Sequence, residues 1–153
     1  MKTKTGKKLN LSVQYMVRGG NLPSRPQLRK WTLAALKQPA RITLRIVGKK
    51  EGRMLNRDFL GRDYATDVLT FVYPDRRPLT GDIALCAPVM AREAREHGIS
   101  MKACYAHRVV HGVLHLQGYD HQQQAEALKM EKMEAQIITR LGFTNPYEPR
   151  SER

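Results

Sequence analysis

Apolar and polar residues alternate from Leu9 to Val17 (Leu-Asn-Leu-Ser-Val-Gln-Tyr-Met-Val), which is the period of a half-buried strand. Gly19-Gly20 breaks it. Ser24-Arg-Pro26 then reads as an N-cap with proline just inside a helix. That helix is predicted to run to about Gln38, with Leu28, Trp31, Leu33 and Leu36 on the buried side, and Pro39 stops it. Alternation returns at 41–48 as a second strand, followed by a short helix at about 49–60. Thr66 to Tyr73 is rich in β-formers and is closed by Pro74. Residues 74–81 read as loop, and 82–86 as a short strand. Three helices finish the chain. One covers about 88–97 and ends at Gly98. One is capped by Ser100 and ends near Gly118, and the last spans 123–141 with Ala127, Met130, Met133, Ile137 and Leu141 at helical spacing. The order β-α-β-α-β-β-α-α-α predicts an α+β fold: a single domain with one small mixed sheet packed by about five helices. The helix that begins at Ser100 is predicted to be central.

Length and the absence of a linker place residues 9–147 in one domain, with a basic tail at 1–8 and an exposed tail at 148–153, beyond Pro146 and around Pro149. No apolar run is long enough to span a membrane. No apolar signal region follows the basic start, so the expected location is cytoplasmic. Cys86 and Cys104 sit far apart in apolar settings and are expected to be free buried thiols.

Charge changes the picture. The net charge is +13, and residues 1–50 hold 13 Lys or Arg and no Asp or Glu. The remaining residues hold 14 basic and 14 acidic side chains, so the whole excess lies in the first third. Such asymmetry points to a polyanion, against the alternative of a solvated basic face with a tail. Nucleic acid is favoured over membrane because no strongly apolar amphipathic helix accompanies the charge.

The chemistry is concentrated in His111-Gly-Val-Leu-His115-Leu-Gln-Gly-Tyr-Asp-His121. His111 and His115 are i, i+4 on a helix and share a face. Gly118 supplies a helix stop, after which the chain can return His121 as a third ligand. Three imidazoles leave one position of a tetrahedral zinc open, which is a catalytic arrangement. An i, i+4 pair on an apolar helix also fits two core histidines; the third histidine after the glycine turn favours the metal. Asp120 could orient a ligand imidazole or take part in proton transfer. His107 shares the face of His111, but it stands eight residues from His115, roughly 12 Å of axial rise, and reads as a hydrogen-bonding histidine. His97, before Gly98, reads as a helix C-terminal residue. Gly112 stands where HExxH metalloproteases carry their glutamate, which counts against peptide hydrolysis.

The 111–121 segment resembles the signature of the YbeY family of bacterial metal-dependent endoribonucleases, with every fixed position present. Leu55-Asn56, Phe59, Asp63, Thr66 to Phe71, Gly81-Asp82-Ile83, Glu134, Leu141 and Gly142 agree with it, so the resemblance runs from about 40 to 147. It implies one zinc per chain on His111, His115 and His121, and a single-strand-specific endoribonuclease. It further implies maturation of the 3′ end of small-subunit ribosomal RNA and ribosome quality control. The implied partners are ribosomal RNA, the small ribosomal subunit, and a small-subunit ribosomal protein or an assembly GTPase. One departure matters: the position of the family's functional arginine is Leu60, with Arg62 two residues on and Arg57 and Arg53 upstream. Arg62 is the local candidate for the phosphate contact. Thr70 replaces a more usual serine. Asp82 and Asp67 are further carboxylates near the motif's partners, each also readable as structural. Two rival readings remain: a non-catalytic ribosome-assembly factor with a structural zinc, and an atypical zinc metalloprotease carried by the histidine spacing.

Overall fold

The computed structural model describes residues 8–120 and 122–147. The chain order is β1 (Leu9–Tyr15), α1 (Arg25–Ala35), β2 (Ala40–Val47), α2 (Lys49–Leu60), β3 (Val68–Tyr73), β4 (Leu79–Cys86), α3 (Ala87–His97), α4 (Met101–Leu116) and α5 (Gln124–Arg140). The predicted order of elements therefore holds. The four strands form one mixed sheet in the order β1-β2-β4-β3. The pairs β1–β2 and β2–β4 are parallel, and β3–β4 is antiparallel with β3 on the edge. A parallel pair needs a crossover, and α1 supplies the one between β1 and β2. Ser24 caps α1 as expected, accepting from the Gln27 amide while its own amide donates to the Gln27 side chain.

The segment expected to be loop up to Gly81 is partly strand. Leu79, Thr80 and Gly81 pair with Ala40, Arg41 and Ile42 on one side, and Thr80 and Gly81 with Tyr73 and Val72 on the other. Gly81 is a close-approach residue: a Cβ there would lie 2.7 Å from the Leu116 side chain and 2.9 Å from the Phe71 carbonyl oxygen. At the other end, β3 starts two residues later than expected, because the Asp67 carboxylate takes the Val68 amide at 2.7 Å.

One face of the sheet, carrying Ile42, Leu44, Ile46, Ile83 and Leu85, is buried against α1 and α4. Helix α4 also packs on α3 and α5, which makes it the central helix and explains its almost unbroken apolar sequence. It sits close to the sheet at Gly112, where a Cβ would meet Ile83 at 3.1 Å and Thr70 at 3.3 Å. In α1, Leu28, Trp31 and Leu36 at its cap are buried as expected, whereas Leu33 is half-buried and Thr32 takes the interior place. The Thr32 hydroxyl donates to the Leu28 carbonyl one turn back, which removes the penalty for burying it. On the other sheet face, α2 lies over one end, where Val47, Cys86 and Val89 cluster and Gly52 approaches Cys86. Cys86 and Cys104 are free and buried, as expected. Among the described residues no helix is long and apolar enough to cross a membrane.

Candidate metal centre

Helix α4 holds His111 and His115 on one face, with ring centroids 6.3 Å apart and planes tilted by 34°. Each ring is oriented from a different element. Nδ1 of His111 lies 2.6 Å from Oε2 of Glu134 on α5. Nδ1 of His115 lies 3.1 Å from the Thr70 hydroxyl on β3. Glu134 is fully buried, and its other oxygen accepts from Nε2 of His107 at 2.8 Å and from the Tyr147 hydroxyl. Burial pushes the Glu134 carboxyl up, but hydrogen bonds from His107, His111 and Tyr147 and the charge attraction of His111 outweigh it and bring it down to about 2. The Tyr147 phenol is raised by burial and by its bond to that carboxylate, so it stays a donor.

These contacts settle a chemical question. An ionised carboxylate accepts only, so Nδ1 of His111 donates to Glu134, and Nε2 is the ring nitrogen left to face a metal ion. A carboxylate on the far nitrogen is the usual support of a metal-bound imidazole. The donor set of α4 therefore fits a metal ion held by His111 and His115. The third expected ligand, His121, lies outside the described residues, and among those described no cluster of three His, Cys, Asp or Glu gathers. Gly118 has φ +102°, the left-handed turn expected to end the helix, and the Tyr119 amide closes back on the Leu114 carbonyl. Asp120 follows, half-buried. The carboxylate on the second nitrogen of His111 is that of Glu134.

His107 is a hydrogen-bonding histidine, as expected. It bridges Glu134, Tyr147 and Arg108. Arg108 in turn binds Asp67 at 2.6 Å and Glu93 at 3.0 Å, tying α4 to the start of β3 and to α3. Asp67 is thus a structural partner of Arg108. Asp82 pairs across the sheet with Phe71, one residue from Thr70, and so projects from the face opposite the histidines; it accepts from the Tyr73 hydroxyl. Of the arginines around Leu60, Arg53 is held by both oxygens of Asp63 and Arg57 by Asp58. Arg62 is exposed and, among the described residues, makes no ion pair. Leu60 is 55% exposed.

Glu134 and Tyr147 were not singled out as site residues from the sequence. Glu134 had a readable signal: it falls at buried spacing between Met130 and Ile137, where a lone carboxylate must find partners. Tyr147 had none, since its partner is fixed only by the packing of the C-terminal segment.

A family model described as Endoribonuclease YbeY matches residues 26–142. The chain is 53% identical over 139 residues to Endoribonuclease YbeY of Nitrosomonas europaea, covering 91% of this chain and 85% of that protein. Against the protein of the same name from Nitrosomonas eutropha the identity is 55% over 137 residues, covering 90% and 97%. The solution structure of TM1509 from Thermotoga maritima superposes with a TM-score of 0.53 at 23% identity, covering 90% of this chain and 99% of that one. That likeness speaks for the fold.

Proposed function

The chain belongs to the YbeY endoribonuclease family, and on that premise we propose that it is a zinc-dependent, single-strand-specific endoribonuclease that matures the 3′ end of small-subunit ribosomal RNA and serves ribosome quality control in the cytoplasm. The observation that carries the metal part is the Glu134 carboxylate on Nδ1 of His111, which fixes the tautomer a ligand needs. His111, His115 and His121 would hold one zinc per chain. When bound there, the ion supplies a Lewis acid for a phosphoryl oxygen and acidifies water.

The chain's own residues do the rest. Thr70 holds the His115 ring, and Glu134 with Tyr147 and His107 holds the His111 ring. Arg62 is the phosphate contact in place of the arginine that Leu60 replaces; its neighbours Arg53 and Arg57 are already engaged by carboxylates. Asp120, within the histidine motif and one residue before His121, is the carboxylate assigned to proton transfer. Gly112 packs closely against Ile83 and Thr70, so the glutamate of an HExxH protease would crowd both, which disfavours peptide hydrolysis. The partners are ribosomal RNA and the small subunit, with a small-subunit ribosomal protein or an assembly GTPase as recruiter. The basic residues of the first third supply the phosphate attraction.

Leu60 favours one alternative, a non-catalytic assembly factor whose zinc is structural. Both readings are tested on small subunits carrying immature 3′ ends, with wild type and His115→Ala purified in parallel. Cleavage by wild type alone is the expected result. Equal or absent cleavage with the subunits still bound would replace the nuclease by the assembly factor.

A further inference from the structure

The sheet face turned away from the histidine helix is only half covered. Strand register places its residues in rows. Arg41, Thr80 and Tyr73 form one row, and Thr43, Asp82 and Phe71 the next. Helix α2 lies over the end marked by Val47 and Cys86, beyond the second row. Its C-terminal Phe59 reaches back to Phe71, ring centroids 5.1 Å apart at 63°. Phe59 is 63% exposed and Tyr73 40%. Three aromatic rings on an open sheet face are a costly feature for a chain with an otherwise ordinary core.

Their surroundings are cationic. Arg41 is exposed at one end of the Tyr73 row, and the Arg76 guanidinium stands 5.4 Å from the Tyr73 ring centroid. Asp82, in the row beside Tyr73, accepts from the Tyr73 hydroxyl, which pins the ring and occupies the carboxylate. Rings held in place with flanking arginines suit unpaired bases, whose flat faces stack on aromatics while phosphates meet the cations. An apolar protein partner would not need the arginines beside the rings. Phe71 and Thr70 are consecutive on the edge strand, so a strand of RNA crossing that edge passes from the rings to the histidine side.

We propose that Phe59, Phe71 and Tyr73 form a stacking platform for single-stranded RNA, with Arg41 and Arg76 holding the adjoining phosphates. The proposal rests on the RNA reading above and adds a binding surface distinct from the metal centre. It explains single-strand preference through base faces that a duplex hides.

The test is fluorescence anisotropy of a short unstructured RNA on the full chain, with RNA integrity checked after each titration. Phe59→Ala and Tyr73→Ala are each expected to weaken binding about tenfold, with the salt slope unchanged. Arg41→Gln is expected to lower the slope by about 0.7, the share of one phosphate contact on a single strand. Leu128→Ala, equally exposed but on α5, is expected to bind as wild type. Melting temperatures verify folding, and if an aromatic variant melts early, 4-thiouridine crosslinking of wild type to the peptides holding Phe59 or Tyr73 decides. Aromatic variants that bind as wild type, a duplex that binds as tightly as the single strand, or crosslinks elsewhere overturn the platform. Cleavage is scored separately: aromatic variants with normal binding beside an inactive His115→Ala sink the platform and spare the nuclease. Weakened aromatic variants beside a fully active His115→Ala sink the zinc nuclease and spare the platform.

Discussion

Oε2 of Glu134 lies 2.6 Å from Nδ1 of His111, so a residue of α5, outside the histidine motif, sets the orientation of the motif's first ring. Replacing the carboxylate with an amide keeps the volume and removes the charge that fixes the tautomer. Glu134→Gln is therefore expected to weaken zinc binding about 10- to 100-fold while the chain stays folded. Competition with a chromophoric chelator measures it. Zinc affinity unchanged from wild type would show that the contact is packing alone.

The resemblance puts Leu60 where the family carries an arginine, and Arg62 is the neighbouring arginine without an ion pair among the described residues. If Arg62 carries the phosphate contact, Arg62→Ala should lower cleavage about tenfold, the value of one charge-assisted hydrogen bond, with zinc content unchanged. Leu60 is more than half exposed, so an arginine fits there. Adding Leu60→Arg to Arg62→Ala should restore the rate. Single-turnover cleavage with full-length substrate measures both. No loss in Arg62→Ala would move the phosphate contact elsewhere.

Gly112 is where α4 touches the sheet, with Ile83 3.1 Å from the position a Cβ would take. Gly112→Glu would create the HExxH pattern on paper. In this fold it forces a carboxylate between α4, Ile83 and Thr70. It is expected to destabilise the chain by about 3 kcal/mol or more, from overpacking and from burying the charge. Urea unfolding measures the loss, and a casein digest is expected to show no protease activity. A stable variant that cleaves protein would revive the metalloprotease reading.

The order of elements was legible because each carries its own period and punctuation: strict alternation in β2, Ser24 with Pro26 before α1, Gly98 and Gly118 after α3 and α4. The start of β4 was not, because Gly81 reads as a loop breaker, and the reason for it, the Leu116 side chain, lies 35 residues on. The same holds for the site. His111 and His115 are neighbours in one helix, so spacing alone places them together. Their supports, Glu134, Tyr147 and Thr70, come from three other segments and become partners only when α5, the C-terminal segment and β3 pack on α4.

Asp67 and Arg108 join the start of β3 to α4 through a 2.6 Å ion pair with little solvent access. Burial pushes the Asp67 carboxyl up, but the charge and hydrogen bond of Arg108, with the Val68 amide, outweigh it and hold it below the usual range. Burial and the Asp67 charge hold the nearby Glu93 carboxyl above its usual value. A depressed folded pKa stabilises the fold above the unfolded value, about 4 for aspartate, and the contribution is lost as pH falls through the folded value. The Glu93 shift runs the other way, so wild type alone does not isolate the pair. The difference from Asp67→Asn does. At neutral pH the variant is expected to be less stable by about 3 kcal/mol, the effect of leaving a buried arginine with one partner fewer. That gap should narrow as pH falls below about 4, because Asp67 then becomes neutral in wild type too. Urea midpoints at neutral and acid pH measure the gap. A gap that stays constant down to the lowest pH at which both proteins fold would assign the loss to hydrogen bonding of the neutral group and remove the ion pair as its cause.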